Sequence, residues 1–164
     1  MQRRRLMQLG LGAGAFVALA GGGVALWRPG LKDARLTPSG QAVFGAVSRA
    51  VLGPLLAEAQ LPAQLARIES AVQAMPAHVQ AELAQLLALL AAPPTRLALT
   101  GLGDDWASAP TADVLAMLER LRQSPLQLRR QVYQALRDLT NAAWFANPAS
   151  WRAIGYPGPR SLAA

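Results

Sequence analysis

The sequence predicts an all-α protein, with a small domain of five or six helices preceded by an N-terminal apolar signal or anchor helix. Three observations lead to this prediction. Alanine and leucine dominate a composition that is 52% hydrophobic, and both are strong helix formers. Apolar residues recur at helical spacing between prolines along most of the chain. Runs of β-branched and aromatic residues that are typical of strands are absent.

The N-terminal segment, residues 1–30, has the layout of an export signal. Three arginines come first, an uncharged apolar stretch follows over residues 6–27, and an arginine and a proline end it. The string RRRLM is similar to a twin-arginine signal, which predicts export to the periplasm through the twin-arginine translocase. The residues assigned to this signal are Arg3, Arg4, Arg5 and Leu6.

Two fates of this segment remain open. Ala18 and Ala20 flank Leu19 in a small-x-small cleavage pattern, so the signal is either removed after Ala20 or retained. If it is retained, residues 6–27 match the length of about 20 residues that spans a bilayer, and they anchor the protein in the inner membrane. A buried helix of a cytosolic protein is the less favoured alternative, because a charge-free stretch after three arginines is a poor amphipathic pattern.

A linker and a first helix follow. The string RPGLKDARLTPSG is rich in proline, glycine and polar residues, and residues 31–37 within it are expected to be a linker. The folded domain is expected over residues 38–164. Its first helix starts at Pro38 and ends where Gly53 and Pro54 interrupt the apolar periodicity.

Prolines divide the middle of the chain. One helix is expected from Pro62, in its first turn, to Met75, and another from Pro76 to the pair of prolines at 93 and 94. Because almost no loop separates these two helices, we expect them to pack as a helical hairpin. The longest irregular stretch is expected over residues 93–110.

Three more helices are expected before the C-terminus. The first has Val114, Leu115, Leu118 and Leu121 as its core face. The second is long and starts with an S-x-x-Q capping box at Ser124. The third is one short turn that Asn147 and Pro148 cap and Gly155 ends.

Few side chains are candidates for chemistry. His78, the only histidine, has no nearby partner in sequence and is expected on the surface. Asp104 and Asp105 are adjacent, whereas a hard cation needs several more oxygen ligands, so helix capping or solvation is expected for them. Trp106 beside them is either a contact residue or a plug over the core. Without cysteine, the chain has no disulfide, thiolate metal ligand, iron–sulfur ligand or covalent haem attachment.

Charge gives no sign of a nucleic-acid partner. The formal charge is +7, of which the three N-terminal arginines account for 3, leaving 7 − 3 = +4 scattered along the chain. A nucleic-acid binder shows a dense basic patch with stacking aromatics. Arg129 and Arg130 are expected on a solvated helix face. Since no constellation meets the requirements of an active site, we predict a non-catalytic protein without catalytic, cofactor-binding or metal-binding residues.

Aromatic residues concentrate in the C-terminal tail of a chain that is only 5% aromatic. Exposed tryptophan, tyrosine and arginine beside rigid turns are favoured interface anchors, which predicts a docking strip in this tail. Trp144 is expected in the core instead, because it continues the inward face of the long helix. The residues predicted to dock a partner are Phe145, Trp151, Arg152, Tyr156 and Pro157.

The tail string LTNAAWFANPASWRAIGYPGP resembles the closing motif of the gluconate 2-dehydrogenase subunit 3 family. In that family a long helix leads into an aromatic-containing turn, then a tryptophan and an I-G-Y-P-G segment. The string LTPSGQAVFGAVSRAVLGP is similar to the family's opening helix, and the twin-arginine signal is a third point of agreement. The resemblance spans most of the chain from Leu36, and the tail is its specific part. The counterparts in the tail are Leu139, Thr140, Trp144, Phe145, Pro148, Trp151 and residues 154–158.

The resemblance implies a non-catalytic small subunit of a periplasmic FAD-dependent dehydrogenase of the glucose–methanol–choline type. It implies that the FAD belongs to the large subunit, which is carried out folded on this chain's signal. Complexes of this family often use a c-type cytochrome as electron acceptor, and the sequence leaves open whether one is a partner here. The competing hypothesis is a membrane-anchored periplasmic chaperone or scaffold that is unrelated to redox enzymes. A neighbouring gene for a flavoprotein dehydrogenase without its own signal would favour the first hypothesis.

Overall fold

The computed structural model describes residues 29–158 and is 72% helical. This part of the chain contains seven α-helices and two short strands, so the prediction of a helical domain is confirmed and the predicted number of helices is too low. The N-terminal signal or anchor helix and its four assigned residues lie outside the described residues. The helices are α1 (Pro38–Leu52), α2 (Leu61–Gln73), α3 (Ala77–Ala91), α4 (Pro93–Thr100), α5 (Thr111–Arg122), α6 (Gln127–Phe145) and α7 (Pro148–Ala153).

The segment that was expected to be a linker forms an antiparallel hairpin. Strand β1 (Leu31–Lys32) pairs with β2 (Arg35–Leu36), and Leu31 lies opposite Leu36. Because residues directly opposite each other in an antiparallel pair share a face of the sheet, both leucines point the same way, and both are buried in the main core. The amide of Leu36 also donates a 2.8 Å hydrogen bond to the Glu69 carboxylate on α2. The hairpin is therefore part of the folded unit.

The first helix is the centre of the core. Val43, Phe44 and Val47 of α1 are completely buried, and α1 packs against α2, α3, α5 and α6. Thr37 caps its first turn by accepting a hydrogen bond from the amide of Gly40. Two short 3₁₀ turns, Gly53–Leu55 and Glu58–Gln60, connect α1 to α2. The expected break at Gly53 and Pro54 is confirmed.

Helix α4 is a helix that the sequence did not predict. Residues 93–100 were expected to be irregular because two prolines begin them. Proline is tolerated in the first turn of a helix, where its missing N–H would have no partner, and both prolines of α4 lie there. Ala92 adopts an extended conformation between α3 and α4, so the two prolines end one helix and start the next.

The loop between α4 and α5 is fastened to the domain by two side chains. Trp106 is 2% exposed, and its indole N–H donates a 2.7 Å hydrogen bond to the main-chain oxygen of Leu90. Trp106 is therefore a plug over the core. Arg96, which is buried, donates to the Asp105 carboxylate at 2.9 Å and to the main-chain oxygen of Gly103.

Two expectations about helix packing and capping are wrong. Helices α2 and α3 do not form the expected hairpin, since α2 packs mainly on α1 and α6 while α3 packs on α1, α4 and β1. Ser124 does not cap α6, because its hydroxyl accepts from the amide of Leu126 and the helix begins at Gln127. The basic side chain of Arg130 donates to the main-chain oxygens of Ser124 and Pro125 instead.

Two further expectations concern helix surfaces. Leu115 was assigned to the core face of α5 but is 48% exposed, and Met117 is buried in that face. Arg129 is not simply solvated, because its guanidinium donates a 3.0 Å hydrogen bond to the main-chain oxygen of Ala98 at the end of α4. Cations near a helix C-terminus are favourable, so Arg129 stabilises the junction of α4 and α6.

Across residues 29–158, no individual helix combines the length and apolar composition that crossing a membrane requires. Helices α3 and α4 meet these criteria only as a pair, and they are bent by 97° at their junction.

Candidate functional site

The tail after α6 is a compact turn built on the short helix α7. Asn147 caps this helix by accepting a 3.2 Å hydrogen bond from the amide of Ala149, as the sequence predicts. Ser150 is buried, and its hydroxyl lies 2.8 Å from the main-chain oxygen of Trp144 and 2.7 Å from that of Asn147. The single hydroxyl proton of Ser150 is shared between these two oxygens. Since Trp144 lies in the last turn of α6, the bond to its oxygen joins α7 to α6.

The end of α7 is a Schellman motif, which is a common C-terminal cap of helices. Gly155 has a φ of 70°, a left-handed conformation that glycine adopts without strain. Its amide donates to the main-chain oxygen of Arg152 at 3.2 Å, and the amide of Tyr156 donates to that of Trp151 at 2.9 Å. These two bonds reverse the chain direction immediately after the helix.

The side chains of Trp151 and Tyr156 make the apolar contact that usually accompanies this motif. Their rings meet edge to face, with centroids 5.5 Å apart and planes inclined at 69°. The indole N–H of Trp151 donates a 2.7 Å hydrogen bond to the main-chain oxygen of Phe145. A Cβ added to Gly158 would lie 3.4 Å from the indole ring, so the backbone at Gly158 packs directly on Trp151.

The predicted docking residues are therefore brought into one turn, but they differ in exposure. Trp151 is half-buried within the turn, whereas Phe145 is 38% exposed and Tyr156 is 46% exposed. Arg152 and Pro157 are exposed as well. We refer to the following residues of this tail as the aromatic turn: Phe145, Trp151, Arg152, Ile154, Tyr156, Pro157 and Gly158.

Ile154 is an exposed apolar residue that the sequence analysis did not assign to docking. It is 50% exposed, more than any other large apolar residue of the aromatic turn. Its position explains this exposure, because it is the residue that caps a six-residue helix whose buried side is already occupied by Ser150. The turn itself has a signal in the sequence that could have predicted it. The spacing W-x-x-x-G-Y places Trp151, Gly155 and Tyr156 at the C3, C′ and C″ positions of a Schellman motif.

Trp144 does not belong to this surface. It is 3% exposed and packs with Leu52, Leu56 and Leu61 in a second, smaller apolar cluster, as predicted for a core residue. The guanidinium of Arg67 lies over its ring at 5.8 Å from the centroid, which is within the range of a cation–π contact. The tail therefore has one tryptophan in the core and one in the turn.

Charge on the aromatic turn is carried by one residue. Arg152 is the only charged residue in the segment of residues 139–158, and no acidic side chain of the described part of the chain forms an ion pair with it. The surface is thus apolar with a single positive charge beside the exposed Ile154.

The other candidate residues lie apart from this surface. His78 is exposed in the first turn of α3, as predicted. Asp104 is exposed, and its neighbour Asp105 pairs with Arg96. No three His, Asp or Glu side chains within residues 29–158 come together in a group that could hold a metal ion.

Comparisons with protein-family models, with curated proteins and with solved structures found no match to this chain.

Proposed function

We propose that this chain is a non-catalytic small subunit of a periplasmic FAD-dependent dehydrogenase of the glucose–methanol–choline type. Its role is to aid the export of the large subunit by the twin-arginine route and to support the maturation and stability of the complex. The FAD and the active site belong to the large subunit. A c-type cytochrome is often the electron acceptor of such complexes.

The observation that carries this proposal is the aromatic turn. It coincides with the string that resembles the closing motif of the gluconate 2-dehydrogenase subunit 3 family. The side chains of its residues Phe145, Ile154 and Tyr156 are exposed, while its backbone is held by a helix cap, a Schellman motif and the indole hydrogen bond. A fixed surface loses little conformational entropy when it binds, which favours a docking role.

The N-terminal sequence supports the export part of the proposal. A twin-arginine signal serves proteins that fold before they are exported, and a flavoprotein without its own signal would need such a carrier. The layout of three arginines followed by the apolar residues 6–27 supplies one.

The test is immunoprecipitation of the untagged full-length chain from periplasmic and membrane fractions of the native host. We expect a co-purified protein that has the visible absorbance of bound flavin and that lacks an export signal of its own. Deletion of the gene for this chain is expected to leave that flavoprotein in the cytoplasm. A flavoprotein that is exported normally in the deletion strain would refute the proposal.

The same experiment separates the competing hypothesis. A membrane-anchored periplasmic chaperone or scaffold would co-purify with proteins that contain no flavin, and its deletion would change their folding or abundance rather than the export of a dehydrogenase.

A further inference from the structure

The half-buried indole of Trp151 contacts three residues of its own tail. Its N–H is bonded to the main-chain oxygen of Phe145, the ring of Tyr156 meets it edge to face, and the backbone of Gly158 packs on it. It belongs to neither of the two buried apolar clusters. Trp151 therefore organises the turn without contributing to the core of the domain.

These contacts leave other side chains free. Ile154 is 50% exposed and Tyr156 is 46% exposed. The backbone that carries both side chains is held by the hydrogen bonds of the Schellman motif. Arg152 lies in the same five-residue stretch, and no carboxylate among the described residues forms an ion pair with it.

We propose that Ile154 and Tyr156 are the anchors that the partner covers, that Arg152 pairs with a carboxylate of the partner, and that Trp151 is a positioning residue. This inference rests on the proposed function, since the occupant is the large dehydrogenase subunit. The chemistry that fits is a protein surface with an apolar pocket beside an acidic side chain. An apolar anchor in a pocket with a charge pair at its rim is the usual arrangement of an interface hot spot.

A second copy of this chain fits the surface less well. In a two-fold symmetric contact each residue of the patch meets the same patch of the other copy. Two Arg152 side chains would then approach each other, and residues 139–158 contain no acidic side chain that would offset their repulsion. Charge complementarity therefore favours an acidic partner.

The absence of cysteine from the sequence allows a direct test of coverage. Ala153→Cys and Pro157→Cys each introduce a unique thiol beside the proposed anchors without removing either of them, and Leu115→Cys and Leu126→Cys introduce one at exposed leucines elsewhere. The rate of maleimide labelling is measured on the full chain, alone and in the immunoprecipitated complex, after mild reduction. We expect labelling at positions 153 and 157 to be about tenfold slower in the complex, since the core of an interface is dry and tightly packed. The two control positions are expected to be unchanged.

The role of Trp151 is tested by two variants. Trp151→Phe keeps a ring against Tyr156 and Gly158 but loses the N–H donor, whereas Trp151→Ala loses both. We expect Trp151→Ala to weaken partner binding by about thirtyfold, which corresponds to a hot spot of ~2 kcal/mol, and Trp151→Phe to recover most of it. The melting temperature of the domain is expected to change by less than about 5 °C in both variants, whereas loss of a core tryptophan would lower it much further.

The charge pair is tested by Arg152→Lys and Arg152→Glu. Lysine keeps the positive charge and is expected to retain binding, whereas glutamate is expected to abolish co-purification through repulsion of the partner's carboxylate.

Three results would overturn this inference while leaving the proposed function intact. They are normal co-purification of the flavoprotein with Arg152→Glu, equal labelling rates at all four positions in the complex, and slow labelling at positions 153 and 157 in the isolated chain that disappears on dilution. The last result would assign the surface to a second copy. If the wild-type chain brings down no flavoprotein, the proposed function itself has failed, and this inference with it.

Discussion

The side-chain amide of Gln64 donates a 3.0 Å hydrogen bond to the main-chain oxygen of Thr140, and both residues are completely buried. The bond joins α2 to α6 across 76 residues of sequence. The other end of the same side chain accepts a 3.1 Å hydrogen bond from the guanidinium of Arg67. A buried amide is costly unless both of its ends are bonded, and here both are.

The first prediction concerns this amide. We expect Gln64→Ala to lower the free energy of unfolding by about 2–4 kcal/mol, because it removes the hydrogen bond and leaves a cavity. Gln73→Ala is the matched control, since Gln73 lies on the same helix and is exposed. Chemical denaturation measures the free energy of unfolding of both variants. Equal effects of the two substitutions would contradict a structural role for the buried amide.

The second prediction concerns the loop between α4 and α5. Asp105 accepts hydrogen bonds from the buried Arg96 and from the amide of Trp106. We expect Asp105→Ala to cost about 1–2 kcal/mol, a value reduced by the exposure of the carboxylate. The neighbouring Asp104→Ala is expected to cost within about 0.5 kcal/mol. Thermal unfolding distinguishes the two, and a larger effect at Asp104 would refute the assignment.

The third prediction separates the two tryptophans of the tail. Trp144→Ala is expected to destabilise the domain by about 3–5 kcal/mol, because Trp144 fills the second apolar cluster. Trp151→Ala is expected to change the free energy of unfolding by less than about 1 kcal/mol, because Trp151 belongs to neither buried apolar cluster of residues 29–158. Urea denaturation followed by circular dichroism gives both values. Comparable losses would place Trp151 in the core.

The fourth prediction concerns pH. The hydrogen bond from the Arg49 guanidinium lowers the pKa of the Glu58 carboxyl, because it favours the ionised form. The pair therefore contributes stability above the unfolded pKa of about 4.3, and this contribution is lost as the pH falls through the lower pKa of the folded state.

We accordingly expect Glu58→Gln to lose less stability than the wild type when the pH is lowered from about 6 to about 3. Titration of the Glu58 carboxyl by NMR is the direct measurement. A carboxyl that titrates in the usual range of glutamate would show that the pair with Arg49 does not form in solution.

The fifth prediction concerns export. Replacing Arg3, Arg4 and Arg5 together by lysine keeps the charge but removes the guanidinium groups, and arginine and lysine are not interchangeable at a site that recognises this group. We expect the triple variant to remain in the cytoplasm, as measured by cell fractionation. Replacing Arg28 by lysine is the control, and it is expected to leave export normal. Unchanged export of the triple variant would exclude the twin-arginine route.

The sequence predicted most of the helical core because apolar spacing depends only on the helical repeat. Val43 and Phe44 of α1, Ile68 of α2 and Leu136 of α6 are buried as that spacing indicates. The same rule failed at Leu115, which lies at the edge of the apolar stripe. Whether an edge position is covered depends on which helix packs beside it, and local periodicity does not contain that information.

The exposed side chains of the aromatic turn could be predicted only in part, for a related reason. The sequence singled out the aromatic residues of the tail, since exposed aromatics beside turns are favoured anchors. It did not reveal that the indole of Trp151 contacts Tyr156, Phe145 and Gly158 of its own tail, or that Ile154 is exposed. Exposure is a property of the assembled turn, and the Schellman motif determines it.

By itself, the sequence determined the helical class, the breaks at Gly53 and Gly155 and the cap at Asn147. These features follow from interactions between residues close together in the chain. Only the tertiary structure decided that the hairpin of residues 31–36 belongs to the core, that Trp106 is a plug, and that α2 and α3 pack on other helices. The physical reason is that these outcomes depend on contacts between distant segments, where burial of apolar surface outweighs local preference.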